Sequence, residues 1–335
     1  MRRLIFALLT AAIALVFSEK LYWYVTGYST LDLLAGYFFP SYVFLAIVDF
    51  FRVRRLAPLF LAAAVFGFVA EGVLTHTLYR DGPLGWFGVA YTPLAWHAPL
   101  SIVFGWWWLR RELVAGRTRR LLLGCAAIGV LWGLWSLAWW LPENAADPEL
   151  LAQGARLGQW PVADYAWHAF AFTGLLALSH WLLGRGGWRT DFQPPWPAWA
   201  TAVEVVLALT GLLVFFAAVL PIYPWAPLKL ALVLLPTLGA LALHRRRAAP
   251  GSVLADLAGP VALRPLAALF VMPAAAVLVY AVAARVALPT DVILVVSGYG
   301  LVVGPAVVGA LAWIVALVAT ARERQAVGDR TALTE

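Results

Sequence analysis

The chain has little charge and almost no cysteine. Of its 335 residues, 12% are charged and 63% are hydrophobic, whereas a soluble domain carries about 25% charged residues. A chain of this composition has too little polar surface to cover a soluble fold. The single cysteine, Cys125, excludes an intrachain disulfide and a cysteine-based metal cluster.

The apolar runs are long enough to cross a bilayer, which takes about 20 helical residues. Lipid offers no partner to a free backbone group, so these runs must be helices. We therefore predict an all-α fold, a polytopic integral membrane bundle of about ten transmembrane helices. The first run follows Met1-Arg2-Arg3 without a small-residue cleavage site, and we expect it to be retained as a helix. The predicted spans are residues 4–24, 31–51, 56–78, 88–108, 121–141, 162–183, 197–220, 225–243, 265–287 and 291–319.

The basic residues predict the orientation. Nineteen of the 24 lysines and arginines fall in one set of loops and five in the other. Cytoplasmic loops carry the basic excess, so we expect both termini to be cytoplasmic and the protein to lie in the cell (inner) membrane. This topology accounts for the net charge of +7, and we expect no nucleic-acid partner. Membrane lipid and a hydrophobic small molecule are the expected partners.

The chain divides near Pro194-Pro195. We predict a six-helix membrane module over residues 1–195, which carries the intramembrane polar residues. A four-helix module with a short basic cytoplasmic tail follows over residues 196–335. In the second module Gly300 and Gly304 have the spacing that suits close helix packing. This spacing predicts a helix–helix partner through residues 297–309.

One tetrapeptide occurs twice in apolar segments, as Ala95-Trp96-His97-Ala98 and as Ala166-Trp167-His168-Ala169. Ionisable groups inside a bilayer are costly and by default suggest function. Counted along the predicted spans, Glu71, His97 and His168 all fall in the outer half of the membrane. We therefore predict a single catalytic site that contains these three residues.

Three kinds of chemistry fit such a site. Glu71, His97 and His168 are possible ligands of a divalent metal. Asp164 would then orient His168 by a hydrogen bond without itself contacting the metal. Two histidines on neighbouring helices are also a possible axial pair for haem. Without a cofactor, Glu71 could act as a general acid or base beside a histidine. No His-x-x-His or Glu-x-x-His spacing selects among them.

A structural interpretation stands beside each functional one. A histidine next to a tryptophan in a membrane helix can simply hydrogen-bond a backbone carbonyl. We expect Glu19 and Lys20 to pair with each other, or Lys20 to extend to the outer interface. Neither capping nor extension to the interface explains Glu71, which makes it the strongest candidate.

The stretch from Glu71 through Gly82-Pro83-Leu84-Gly85, Tyr91, Pro99-Leu100 and Trp106 resembles a segment of the carotenoid-biosynthesis membrane hydratases. Those proteins carry a Glu, a Gly-Pro/aromatic-Gly turn, then a Tyr and a Pro-Leu before an aromatic helix end. The spacing from Glu to Gly is longer here, and ten spans exceed the number expected for that family. The resemblance implies a hydrophobic substrate.

These observations leave three functions open. The leading hypothesis is a membrane enzyme of lipid metabolism, acting on a lipid or isoprenoid at a site in the outer half of the bilayer. The first alternative is a proton-coupled membrane transporter, whose intramembrane carboxylates relay protons. The second is a non-catalytic membrane component that binds haem or assists assembly.

Overall fold

A computed structural model describes residues 2–21, 29–141, 158–185 and 198–322. Across these residues every regular element is helical, and ten helices are long. They are numbered α1 to α10, and several join an α-helical part to a π-helical one. Their bounds are Arg2–Leu15 with Val16–Lys20 (α1), Thr30–Phe50 (α2), Leu56–Leu74 (α3), Phe87–Val89 with Ala90–Trp108 and Leu109–Val114 (α4), Thr118–Trp140 (α5), Val162–Arg185 (α6), Ala198–Val214 with Phe215–Val219 (α7), Ala226–Arg247 (α8), Leu263–Val286 (α9) and Thr290–Arg322 (α10).

Seven of these helices are long and apolar enough to cross a membrane: α2, α3, α5, α6, α8, α9 and α10. Within α7, Val205–Val219 is a shorter apolar stretch. The predicted all-helical membrane bundle therefore fits the structure, although length and composition support seven spans rather than ten. The helices α1 and α4, which are not among the seven, hold half of the site described below.

Local sequence explains where two of the helices begin and end. Ser29 caps α2 in a reciprocal arrangement, because its side chain accepts from the Asp32 amide while the Asp32 carboxylate accepts from the Ser29 amide. Helix α3 ends at Leu74, four residues earlier than predicted. His76 follows with a φ of 53°, a left-handed conformation that a helix cannot continue.

Glycines allow α4 to approach its neighbours closely. A Cβ built on Gly67 of α3 would lie 2.7 Å from the Pro93 Cα of α4. A Cβ on Gly105 of α4 would lie 2.4 Å from the Phe17 ring of α1. Atoms of other helices therefore occupy the space that any larger residue needs, and α1, α3 and α4 meet at these two points.

Helices from the two predicted modules pack directly against one another. Gly129 and Gly133 of α5 face the backbone of α9, and Gly309 of α10 faces the Leu94 carbonyl of α4. By contrast, Gly300 and Gly304 are exposed. The predicted boundary at residue 195 and the basic tail after residue 322 lie outside the described residues, and the division into two modules stays a prediction.

Candidate functional site

Glu71 and His97 form a buried pair between α3 and α4. His97 Nε2 lies 2.5 Å from Glu71 Oε1, and the two residues are only 3% and 6% exposed. Both were singled out from the sequence, and the structure brings them into direct contact. A hydrogen bond between two buried side chains fixes the position of both.

The contact follows from the packing of α3 on α4. Gly67 precedes Glu71 by four residues, and Pro93 precedes His97 by four residues. Residues four apart lie on the same face of an α-helix. Because α3 and α4 run antiparallel, Glu71 lies one turn to one side of the Gly67–Pro93 contact and His97 one turn to the other. Helical side chains point back toward the N-terminus of their helix, so the two side chains extend toward each other across this contact.

The second ring nitrogen of His97 contacts a serine of α1. Ser18 Oγ lies 2.8 Å from His97 Nδ1 and 2.7 Å from Ser101 Oγ, and all three groups are buried. If Glu71 is ionised, His97 Nε2–H donates to it and Nδ1 accepts from Ser18. The Ser18 hydroxyl then accepts from Ser101, so the hydrogen bonds run in one direction from Ser101 to Glu71.

The other carboxylate oxygen of Glu71 faces the C-terminal end of α3. Glu71 Oε2 accepts a hydrogen bond of 2.8 Å from the Thr75 hydroxyl and a second one from Thr77. Thr75 is exposed and Thr77 is half-buried. A continuous series of hydrogen bonds therefore connects the exposed Thr75, through Glu71, with His97 inside the bundle.

A second carboxylate lies beside this pair. Glu19 Oε1 accepts a hydrogen bond of 2.7 Å from the Tyr37 hydroxyl of α2. The rings of Tyr37 and Phe66 lie 6.1 and 5.8 Å from the His97 imidazole, measured between centroids. The polar groups are thus enclosed by aromatic side chains, which keep the site at low dielectric.

Most residues of this cluster sit on π-helical segments. Ser18 and Glu19 belong to Val16–Lys20, Glu71 belongs to Ala70–Leu74, and His97 belongs to Ala90–Trp108. The π-helix is rare in proteins and occurs frequently at functional sites. Three π-helical segments converge on this buried cluster, which makes it the candidate functional site.

His168 lies apart from the Glu71 carboxylate and lines a small cavity between α1, α5, α6 and α9. His168 Nε2 donates to the Lys20 backbone carbonyl at 2.7 Å. Asp164 lies one turn earlier in the first turn of α6. The cavity is lined by Lys20, Leu21, Trp132, Ser136, Trp139, Gly158, Trp160, Tyr165, His168 and Tyr280.

Lys20 is buried at this cavity, with 6% exposure, instead of extending to the membrane interface. Its Nζ lies 5.0 Å from the centre of the Phe172 ring. Its neighbour Glu19 bonds Tyr37 on another side of the helix. The sequence-based expectation of an extended Lys20 is therefore wrong, because α6 closes over the end of α1.

The loop between α3 and α4 is held by an ion pair. Lys229 of α8 donates to the Asp81 carboxylate and, at 2.9 Å, to the Gly82 carbonyl. The Gly88 amide donates to Asp81 at 2.8 Å. Partial burial opposes ionisation of Asp81, but the hydrogen bonds from Lys229 and Gly88 outweigh it and lower the pKa of this carboxyl.

The described residues include no group of three or more His, Cys, Asp or Glu side chains that could hold a metal ion. Both ring nitrogens of His97 are already engaged, by Glu71 and Ser18. This arrangement suits proton transfer within a carboxylate–imidazole–hydroxyl series. The sequence analysis predicted a metal or haem site that contains His97, His168, Glu71 and Asp164. That site stays a prediction, and this geometry does not support it.

Several members of the cluster were not found from the sequence: Ser18, Tyr37, Thr75, Thr77 and Ser101. Hydroxyl residues are common in membrane helices, where they usually bond their own backbone, so nothing distinguishes these five by type. Two local signals existed, because Thr75 follows Glu71 by four residues, Ser101 follows His97 by four residues, and a helix brings such residues together. Ser18 and Tyr37 come from other helices, α1 and α2.

Comparisons with known proteins add no name to this site: no family model, no curated protein and no solved structure matches the chain. The resemblance to the carotenoid-biosynthesis hydratases therefore stays a prediction that rests on the residues quoted for it.

Proposed function

We propose that the chain is a membrane enzyme in which Glu71 and His97 carry out acid–base chemistry on a lipid or isoprenoid. The observation that supports this most is the Glu71–His97–Ser18 series, with contacts of 2.5 and 2.8 Å inside the bundle. A carboxylate that orients a histidine, which in turn contacts a hydroxyl, is the arrangement by which proteins activate a hydroxyl or hold a proton.

In this proposal His97 is the group that exchanges the proton. Neutral His97 accepts a proton at Nδ1, from Ser18 or from a substrate group in its place, and the Glu71 carboxylate stabilises the imidazolium that forms. The proton then returns from Nδ1 to the product. Aromatic walls around the imidazole exclude water and strengthen the interaction between the charges, and they suit a hydrophobic substrate.

The experiment compares Glu71→Gln with Glu112→Gln. Both carboxylates belong to membrane-embedded helices and both are buried, with 6% and 2% exposure, but Glu112 lies at the cytoplasmic end of α4 and pairs with Arg117. Lipid and isoprenoid extracts are analysed from cells that lack the chain and from cells complemented with each variant. We expect wild type and Glu112→Gln to restore the same product and Glu71→Gln to fail. Equal restoration by both variants would contradict the proposal.

The exposed end of the hydrogen-bond series favours a second candidate, proton-coupled transport. Thr75 is exposed and bonds Glu71, so a proton has a route from the outer surface to His97. Proteoliposomes loaded with a pH-sensitive dye distinguish the two candidates. A transporter shows pH-driven flux that Glu71→Gln abolishes and Glu112→Gln retains, whereas the enzyme shows no flux in any variant.

We further infer a complete topology of ten spans in the cell (inner) membrane, with both termini cytoplasmic. The basic excess in one set of loops supports this orientation. On α10 the exposed Gly300 and Gly304 support a helix partner through residues 297–309. Reporter fusions placed in the loops after α3 and α4 test the orientation, because the first must report the outer side and the second the cytoplasm.

A further inference from the structure

We propose that the arginines at one end of the bundle, where α2 and α8 both end, form a binding surface for an anionic phospholipid. The proposal goes beyond the chemistry of Glu71 and His97 and does not depend on it, since Glu71 lies near the opposite end of α3. It rests on the way two basic segments are held together, on the charge that they leave unpaired and on the apolar side chains beside them.

Two basic segments lie side by side at this end, the turn from α2 into α3 and the chain from the last turn of α8 onward. The Arg245 guanidinium of α8 lies 3.8 Å from the centre of the Phe50 ring of α2. After α8, the Val253 amide donates to the Val53 carbonyl at 2.8 Å. The fold thereby brings together basic residues that are far apart in the sequence.

We call the six arginines of these segments the basic surface: Arg52, Arg54, Arg55, Arg245, Arg246 and Arg247. Arg54 and Arg246 are exposed and Arg245 is half-buried. Within the part of the chain that the structure describes, no carboxylate forms an ion pair with these three. Asp49 precedes the turn, but it is only 7% exposed and accepts from the Ser252 hydroxyl at 2.9 Å. Positive charges gathered at a membrane surface attract the anionic lipids of that surface.

The positive-inside rule accounts for the number of arginines at this end but not for their arrangement. The turn between α4 and α5 is also basic, yet there Glu112 lies 3.2 Å from Arg117 and 3.9 Å from Arg120. That turn carries its own counter-charge. Across the described residues, Arg54, Arg245 and Arg246 make no such pair, so an external anion is the partner that suits them.

Apolar side chains lie directly beside the charge. Phe50 and Leu243 are 41% and 39% exposed, and the Arg245 guanidinium lies over the Phe50 ring. A guanidinium stacked on an aromatic face keeps its edge N–H groups available, and these bind phosphate as a fork. A lipid phosphate bound there would continue into acyl chains over Phe50 and Leu243. A second positive charge on the head group would be repelled by the neighbouring arginines, so the surface favours a lipid with net negative charge.

The segment that follows α8 is also held from a second side. Arg110 of α4, which is 1% exposed, donates to the Leu257 carbonyl at 2.8 Å and to the Gly259 carbonyl. A surface that is already fixed loses little conformational freedom when a ligand binds. The basic surface is therefore pre-organised for its ligand.

The test measures lipid binding to the full chain, purified in a neutral detergent. Dioctanoyl phosphatidylglycerol is the anionic probe, dioctanoyl phosphatidylcholine is the zwitterionic probe with the same chains, and glycerol 3-phosphate is the head group without chains. Native mass spectrometry counts the bound lipids, and calorimetry gives the affinity. We expect phosphatidylglycerol to bind at least about tenfold more tightly than either other probe, because it alone combines net negative charge with acyl chains.

Variants locate the site. Arg54→Gln combined with Arg246→Gln removes two exposed charges of the basic surface, and we expect it to bind phosphatidylglycerol about tenfold more weakly. Arg119→Gln combined with Arg120→Gln is the matched control, because it removes two exposed charges from the turn between α4 and α5. Glu112 keeps Arg117 as its partner in this control, which should bind within about two- to threefold of wild type.

Three outcomes would overturn the proposal. In the first, phosphatidylcholine binds as tightly as phosphatidylglycerol, which removes the role of net charge without any need for a variant. In the second, glycerol 3-phosphate binds as tightly as the lipid, which makes the ligand a soluble phosphate. In the third, the two double variants bind phosphatidylglycerol equally well.

Discussion

Replacing Gly67 by Ala should separate Glu71 from His97. The added Cβ would lie 2.7 Å from Pro93 Cα and 2.8 Å from the Pro93 carbonyl oxygen, whereas carbon atoms pack at about 3.5–4.0 Å. Both obstructing atoms are backbone, so no side-chain rotation relieves the clash. Helices α3 and α4 must move apart by roughly 1 Å. The Glu71–His97 contact, now 2.5 Å, then stretches to a length at which a hydrogen bond is largely lost.

Overpacking costs about 1–3 kcal/mol, and the weakened hydrogen bond to a charged group costs about 1.5–3 kcal/mol more. We therefore expect Gly67→Ala to lower the free energy of unfolding by roughly 2.5–6 kcal/mol, measured by tryptophan fluorescence in mixed micelles. Gly36→Ala is the matched control, because no atom lies within 4 Å of its added Cβ. Since Ala favours helix over Gly, that variant should be stabilised by up to about 1 kcal/mol.

A second comparison links the clash to the site. If Gly67→Ala has already weakened the Glu71–His97 contact, then Glu71→Gln should lower the free energy of unfolding less in the Gly67→Ala chain than in the wild-type chain. The reasoning is refuted if Gly67→Ala is as stable as Gly36→Ala. It is refuted as well if the effects of the two substitutions simply add.

Two further predictions concern the buried pair and the outer loop. In a double-mutant cycle of Glu71→Ala and His97→Ala, we expect a coupling of about 1.5–3 kcal/mol in the free energy of unfolding; additive effects would contradict the contact. The folded pKa of Asp81 lies below its unfolded value, so its ion pair with Lys229 stabilises the fold above the ordinary aspartate value of 3.8 and is lost as the pH falls through the lowered pKa. In melting curves recorded from neutral to acidic pH, Lys229→Met should lose less stability on acidification than wild type does. An unchanged acid sensitivity would argue against a stabilising ion pair between Lys229 and Asp81.

Composition and apolar run length were enough to predict the helical membrane bundle, because lipid forces each segment to satisfy its own backbone. They also predicted the bounds of most helices to within a few residues. The end of α3 was missed, since the left-handed turn at His76 has no signature in hydropathy. A loop that is only slightly less apolar than the helix before it does not show in such a pattern.

The site was predictable only in part. Glu71 and His97 stood out because a buried ionisable group needs a reason, and they do form a pair. Ser18 could not be found, because its contact with His97 depends on the approach of α1 to α4 at Gly105 and Phe17. Such an approach is a property of two distant segments and is not encoded in the spacing within either of them.

The two Ala-Trp-His-Ala tetrapeptides show why an identical sequence does not imply an identical role. His97 faces the Glu71 carboxylate and the Ser18 hydroxyl, so its ring can take up and release a proton. His168 donates to a backbone carbonyl, which any side chain with an N–H group of similar reach can also do. We therefore expect His168→Gln to retain the product restored by wild type, and His97→Gln to lose it.

Stability should separate the two histidines further. His168→Ala leaves the Lys20 carbonyl without its donor and should cost about 1–3 kcal/mol, which His168→Gln should largely recover because the glutamine amide can donate in its place. His97→Gln cannot recover proton transfer, since an amide does not titrate at neutral pH. Loss of the product in both glutamine variants would show that His168 takes part in the chemistry, and that the one-site arrangement expected from the sequence describes this protein better than two separate sites do.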